Sequence, residues 1–184
     1  MACVGSGGKS YNRQVTLHLK MLDDPEVFTL APETADQMIS SMQEVFDAAE
    51  ILVYVASVER LNLGFVDVEV GDCVRGQPTQ EQMDLFSNNR NGVGPSEIVV
   101  YFVSTTYPPC NGCAAHPREM PGALVAEKAT KWTLAHEVGH VMGLSHVSGH
   151  ERLMTNNTKS IKATPVLSSE EIARMHRSGL APLC

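Results

Sequence analysis

Three histidines and one glutamate are spaced so that they could hold and use a metal ion. His136 and His140 are four residues apart, so in a helix their side chains share one face, and Glu137 follows the first of them. Gly143 comes three residues after His140 and can adopt the left-handed conformation that ends a helix. The chain can then turn and bring His146 to the same ion. The pattern therefore predicts three imidazole ligands beside one carboxylate.

Three neutral histidines leave the fourth position of a tetrahedral zinc ion open, which is typical of catalytic sites. Zinc in such a site supplies Lewis-acid activation of a water molecule. Glu137 is placed to accept the proton of that water and to return it to the leaving amine of a peptide. The pattern thus predicts a zinc-dependent endopeptidase with Glu137 as general base. The alternative is a weakly active or inactive zinc-binding module that recognises peptides, although binding alone does not need Glu137.

The helix that carries these ligands must bury its opposite face. Leu134, Val138 and Val141 occupy that face, and we expect them to pack against a sheet. Residues 98–103 form a continuous apolar run of strand length, which predicts a central strand buried on both faces.

Hydrophobic periodicity predicts the remaining elements. Residues 14–22 alternate at period two and predict a half-buried strand whose polar face leaves His18 in solvent. The other expected elements are a long amphipathic helix over 32–50, a strand over 51–58 that continues as a ribbon within 59–75, a short helix over 81–86 and a short strand over 123–126.

The stretch His136–His146 resembles the zinc-binding motif of the metzincin metallopeptidases. Three segments are most similar to the matrixin-like branch: Gly143-Leu144-Ser145-His146, the Leu153-Met154-Thr155 segment that follows, and the tail 167–172. The resemblance implies that Met154 lies in a turn beneath the metal and that a final helix follows. We place that helix at Ser169–Arg177, because Ser168 and Glu171 form a capping box and Gly179 suits its end.

The resemblance also implies the fold and the site. The expected fold is α+β and metzincin-like (zincin-like), with a twisted mixed five-stranded sheet packed on two long helices and a small C-terminal subdomain that ends in a helix. Substrate peptides are expected to pair with an edge strand formed by Gly112, Cys113, Ala114 and Ala115, continuing to His116, although this stretch could equally be a surface loop. Asn156 stands where the family usually has proline. One catalytic zinc ion is expected, and no structural calcium or second zinc site is evident.

Length and charge limit the organisation and the partners of the chain. Its 184 residues suit one catalytic domain over 13–184, with an upper part over 13–146 and a lower part over 147–184, preceded by a mobile Gly/Ser-rich segment over 1–12. The net charge of −7 argues against nucleic-acid partners. No apolar run is long enough to span a bilayer. We expect a monomer that acts on proteins or peptides.

The five cysteines leave at least one without a partner in the chain. Cys110 and Cys113 are interpreted as loop cysteines that pair with Cys73 or Cys184, and Cys184 could fix the C-terminus. Cys3 could be free, lipid-modified or a cap on the zinc. The start of the chain has no signal-peptide stretch. Because the cysteines and a protease activity suit an oxidising space, we expect a secreted or cell-surface protein whose leader has been removed.

Overall fold

The computed structural model describes residues 2–24 and 32–184 and is built on one mixed sheet flanked by helices. In chain order the strands are β1 (Cys3–Val4), β2 (Ser10–Tyr11), β3 (Arg13–Leu22), β4 (Ile51–Leu61), β5 (Asp67–Glu69), β6 (Ile98–Val103), β7 (Thr105–Tyr107), β8 (Gly112–Cys113) and β9 (Gly122–Ala126). The α-helices are α1 (Pro32–Phe46), α2 (Gln80–Asn88), α3 (Thr133–Val141) and α4 (Ser169–Arg177).

The main sheet has five strands in the order β4-β3-β6-β9-β8. Strand β3 pairs in parallel with both β4 and β6, and β6 pairs in parallel with β9. Only β8, at one edge, runs antiparallel to its neighbour β9. The predicted α+β fold with a mixed five-stranded sheet is confirmed. Strands β5 and β7 form a separate parallel pair that the sequence did not predict.

The central strand β6 divides the core into two halves, as its apolar run predicts. Ile98, Val100 and Phe102 belong to the core on the side of α1 and α3, which contact each other. Val99, Tyr101 and Val103 belong to the core on the side of α2. Every β6 side chain is fully buried. The apolar residues of α3 belong to the first of these halves, and α1, β8 and β9 contact this helix and hold it in place.

The helices begin and end close to where the sequence places them. Helix α1 ends at Phe46, continues as a 3₁₀ turn over Asp47–Ala49, and meets β4 at Glu50 in the left-handed conformation. Helix α4 spans Ser169–Arg177, as predicted, and both hydrogen bonds of its capping box are present. Helix α2 is longer than the predicted 81–86, because Thr79 caps it with a second box.

The prediction that His18 is solvated is wrong. Ser57 on the neighbouring β4 and Glu97 just before β6 lie against the face of β3 that was expected to be open to solvent. His18 is only 7% exposed, and its ring nitrogens contact Ser57 Oγ at 2.7 Å and Glu97 Oε2 at 2.9 Å. The backbone hydrogen bond from Gly94 N, followed by the contact with His18, lowers the pKa of Glu97.

Two disulfides join distant parts of the chain. Cys3 pairs with Cys184, which corrects the interpretation of Cys3 as free, lipid-modified or a cap on the metal. Cys113 pairs with Cys73, one of the two partners expected for it. The expectation that Cys110 also pairs is wrong: it is a free thiol, because Cys73 and Cys184 are bound to other cysteines. The predicted mobility of residues 1–12 stays a prediction, and the structure shows β1 paired with β2 and anchored by the first disulfide.

Among the helices described, none is long and apolar enough to cross a membrane.

Candidate metal centre

Helix α3 and the turn after it position the three histidines. The helix buries Leu134, Val138 and Val141, as predicted, and turns His136 and His140 the other way. Gly143 has a φ of 101°, which a residue with a side chain rarely adopts, and this conformation ends the helix. The chain then reverses and brings His146 back toward the helix.

The Nε2 atoms of the three histidines converge on one point. They lie 3.1 Å apart between His136 and His140, 3.2 Å between His136 and His146, and 3.0 Å between His140 and His146. Among the described residues, this trio is the group of His, Cys, Asp or Glu side chains that could hold a metal ion. The structure thus brings together the three side chains that the sequence singles out.

Backbone carbonyls set the protonation of two of the rings. His136 Nδ1 lies 2.8 Å from Leu153 O, and His140 Nδ1 lies 3.0 Å from Leu144 O. A carbonyl oxygen can only accept, so each Nδ1 carries the proton and each Nε2 keeps its lone pair. The nitrogens that face each other are therefore acceptors, and a cation between them would relieve the crowding of their lone pairs.

Burial keeps these imidazoles neutral at physiological pH. It lowers the pKa of His136 and of His146 below the usual 6.5. Burial, followed by the charges of the neighbouring rings, lowers the pKa of His140 to about 4. Neutral imidazole is the form that ligates metals. The site is therefore ready to bind a cation without first losing protons.

The donor set and its spacing fit zinc. A tetrahedral zinc ion with bonds of about 2.0–2.1 Å to nitrogen holds its ligands about 3.3 Å apart. The observed separations of 3.0–3.2 Å need only a small outward adjustment. Zinc, borderline in softness, is commonly bound by three imidazoles.

Glu137 is buried beside the trio and faces the edge strand. Its side chain lies against Gly112 of β8, where a Cβ would come within 2.8 Å of Glu137 Oε1. Burial raises the pKa of the Glu137 carboxyl to about 8 in the absence of a cation. A bound dication nearby would favour the ionised form and lower this pKa.

Met154 lies beneath the helix, buried from solvent. A Cβ on Gly139 would come within 2.8 Å of Met154 Sδ, so the thioether packs against the backbone between His136 and His140. The carbonyl of the preceding Leu153 accepts the hydrogen bond from His136. The Met154 segment thus contacts the ligand helix from below.

Strand β8 forms the upper edge of the site. Gly112 and Cys113 pair with β9 on one side, and no strand pairs with them on the other side in the described structure. Ala114 and Ala115 follow and are buried. A cleft of about 430 Å³ runs below this edge, lined by Asp72, Cys73, Arg75, Gly112, Ala114, His136, Glu137, His140, Leu144, Ser145, His146 and Asn156.

The loop over 70–79 is the part of the cleft that sequence reasoning missed. Asp72, Cys73 and Arg75 belong to it and line the cleft together with Ser145 and Asn156. The signal available in the sequence was Cys73, because its pairing with Cys113 places this loop beside β8. That pairing was one of several open possibilities, so the loop could not be assigned to the cleft.

The comparison that decides the family is a match of residues 20–177 to the matrixin family of peptidases. The chain belongs to the matrixin family. The match covers the described strands from β4 to β9 and all four helices. It confirms the predicted resemblance to metzincin peptidases of the matrixin-like branch.

Solved structures with the same fold are distant in sequence from this matrixin. Metalloproteinase-II from Bacteroides fragilis is 16% identical, with a TM-score of 0.65, and the match covers 91% of this chain but 54% of that one. Archaemetzincin from Methanopyrus kandleri is 18% identical, with a TM-score of 0.55 and coverage of 90% and 95%. A zinc-dependent peptidase from Methanocorpusculum labreanum is 16% identical, with a TM-score of 0.52 and coverage of 86% and 99%.

These similarities show the fold of this matrixin, and the chain spans about half the length of the Bacteroides protein. The search of curated proteins finds no match.

Proposed function

We propose that this matrixin is a zinc-dependent endopeptidase with His136, His140 and His146 as metal ligands and Glu137 as general base. The observation that carries the proposal is the convergence of three neutral Nε2 atoms within 3.2 Å of one another, beside a buried carboxylate. Binding alone would use the three histidines. Burying a carboxyl group costs free energy, and carboxyl groups with strongly shifted pKa values cluster at functional sites.

The chemistry then divides between the metal and the chain. A bound zinc ion supplies Lewis-acid activation of water and of the peptide carbonyl. The three histidines hold their Nε2 lone pairs toward one point and leave one side of it open to the cleft. Glu137 accepts a proton at its carboxylate and later returns it to the leaving amine. Met154 supports the backbone between the first two ligands and so keeps their spacing.

Strand addition at β8 explains how a peptide would be held. The unpaired side of Gly112 and Cys113 offers backbone groups to an extended chain, and Ala114 and Ala115 continue this edge. Recognition through the backbone does not require a chain terminus. This geometry favours cleavage within a peptide over removal of terminal residues.

The surroundings of the site suggest where the protein works. Two disulfides are stable in an oxidising space and are rare in the cytosol, which supports a secreted or cell-surface location. We also propose that the protein acts as a monomer, because the site is built from one chain.

The test compares cleavage of casein and of quenched peptides by the wild type, by Glu137→Gln and by chelated protein. Glu137→Gln keeps the side-chain volume, so we expect zinc content to be retained and kcat to fall by about 10²–10⁴-fold. Glu127→Gln is the matched control, since Glu127 is exposed and outside the cleft. Elemental analysis of protein purified without added metal identifies the ion. If the wild type, the variant and the chelated protein all behave alike, the protein is a binding module and the proposal is wrong.

A further inference from the structure

The rim of the cleft carries a cationic side chain that the reaction does not use. Arg75 lines the cleft together with His140, Leu144 and Ser145. Its Nη1 atom lies 3.9 Å from the position that a Cβ on Gly143 would occupy, so the guanidinium stands over the turn between the second and third histidines. Arg75 is therefore beside the site where the peptide bond would be cut.

Backbone hydrogen bonds and a disulfide hold the loop that carries Arg75 in place. Cys73 N donates to Val70 O at 3.0 Å, and Gln77 N donates to Val74 O at 2.9 Å, which places Arg75 inside a tight turn. The disulfide from Cys73 to Cys113 ties the same loop to the substrate-facing edge strand β8. The loop backbone that carries Arg75 is thus tied to the strand with which a peptide would pair.

Arg75 has no protein partner within the described residues. It takes part in no ion pair and no hydrogen bond there. Arg174, whose side chain lies against the same turn at Gly143, instead pairs with Glu170, and Arg152 pairs with Glu171. Asp72 lines the same cleft but does not form an ion pair with Arg75. Among the described residues that line this cleft, Arg75 is the sole lysine or arginine. Its charge is therefore available to a ligand, on a chain whose net charge is −7.

We propose that Arg75 determines specificity by selecting peptides with an Asp or Glu side chain close to the scissile bond. This inference rests on the proposed peptidase function and names its substrate class. A planar guanidinium pairs with a carboxylate in a defined, often bidentate geometry, so it favours an acidic side chain over its amide. The position selected lies on the side of the metal where α3 ends, because that is where Arg75 stands.

The experiment measures kcat/KM for quenched peptides that differ at one position between Glu, Gln and Lys, with each position near the cut varied in turn. The wild type is expected to cleave the Glu peptide about fivefold faster than the Gln peptide at one position, which is the upper range for an exposed ion pair. Arg75→Ala should reduce this ratio below twofold, and Arg75→Glu should reverse it in favour of Lys. Arg177→Ala, which removes an exposed charge outside the cleft, should leave the ratio at about fivefold.

A binding measurement separates failure of the inference from failure of the proposed function. The same peptides are titrated against zinc-loaded Glu137→Gln protein by fluorescence anisotropy, with and without the Arg75→Ala change. The role of Arg75 is overturned if Glu and Gln peptides are cleaved or bound equally well, or if the preference for Glu survives Arg75→Ala. Neither result affects the proposed peptidase function. The peptidase proposal is overturned if zinc-loaded wild type does not cleave any of the peptides. If the protein then still binds Glu peptides more tightly, and Arg75→Ala removes that preference, the role of Arg75 is supported.

Discussion

Gly112 lies directly against the side chain of Glu137, although the two residues belong to different elements. A Cβ on Gly112 would stand 2.7 Å from Glu137 Cγ and 2.8 Å from its Oε1, closer than real carbon contacts allow. The edge strand that would hold a peptide therefore also confines the carboxylate that would act on it. We therefore expect substrate binding and proton transfer to be coupled through this contact.

Gly112→Ala should displace the Glu137 carboxylate while leaving the histidines in place. We expect kcat/KM to fall at least tenfold, because moving a catalytic group by about 1 Å can lower the rate by a factor of up to about 10². Zinc content and the midpoint of thermal unfolding should change little. Asn111→Ala, in the same segment, is the control, since Asn111 accepts a hydrogen bond from Ala126 N through its backbone oxygen. Full activity in Gly112→Ala would contradict the coupling.

The packing of Met154 under Gly139 predicts non-additive effects on stability. Gly139→Ala places a Cβ 2.8 Å from the buried Met154 Sδ, and such overpacking costs about 1–3 kcal/mol. Met154→Ala opens a cavity and costs about 2–5 kcal/mol. Because the second change removes the atom that the first one meets, the double variant should lose less than the sum. Urea unfolding of the wild type, the two single variants and the double variant measures the coupling. Additive losses would show that the contact between Gly139 and Met154 does not restrict the packing.

Local patterns were sufficient to place the elements that carry the chemistry. The capping box of Ser168 and Glu171 lies within four residues, so the bounds of α4 could be predicted from it. The spacing of His136 and His140 within one helix, and the glycine that ends it, similarly fixed how these ligands are presented. Each of these features depends on contacts between residues that are close in sequence.

Features that depend on distant contacts could not be predicted in the same way. His18 is buried, and Glu97, 79 residues away, supplies the partner that its ring then needs. The pairing of Cys3 with Cys184 spans 181 residues, and several pairings were compatible with five cysteines. Arg75 reaches the cleft through the disulfide of its loop. In each case the sequence shows the residue type but not the neighbour that gives it a role.

The disulfide pairing predicts a single reactive thiol and a large loss of stability on reduction. Alkylation of the native, unreduced protein should modify Cys110 alone, as read by peptide mass spectrometry. Replacing Cys3 and Cys184 together by serine should cost about 2–5 kcal/mol, since this bridge closes nearly the whole chain into a loop. Cys110→Ser is the control and should leave the free energy of unfolding nearly unchanged. Labelling of Cys3 or Cys184 in the native protein would refute the pairing.

The raised pKa of Glu137 predicts how the zinc-free protein responds to pH. Burial raises this pKa to about 8, so between the ordinary value of 4.5 and about 8 the folded state holds a proton that the unfolded state releases. Stability then falls as pH rises across that interval. The lowered pKa values of the three histidines make stability rise with pH, and only below about pH 6.5. The change in stability from pH 6.5 to 8 therefore reports on Glu137.

In chelated wild type, the free energy of unfolding should therefore decrease by about 1–2 kcal/mol between pH 6.5 and 8. Glu137→Gln cannot ionise, so its chelated form should show no such decrease, and it is the matched control for every other titrating group. Zinc-loaded wild type should also lose the slope, because a cation beside the carboxylate lowers its pKa. Urea unfolding at four pH values measures all three proteins. An equal slope in chelated wild type and Glu137→Gln would place the titration on another group and contradict the burial of an ionisable Glu137 carboxyl in the zinc-free protein.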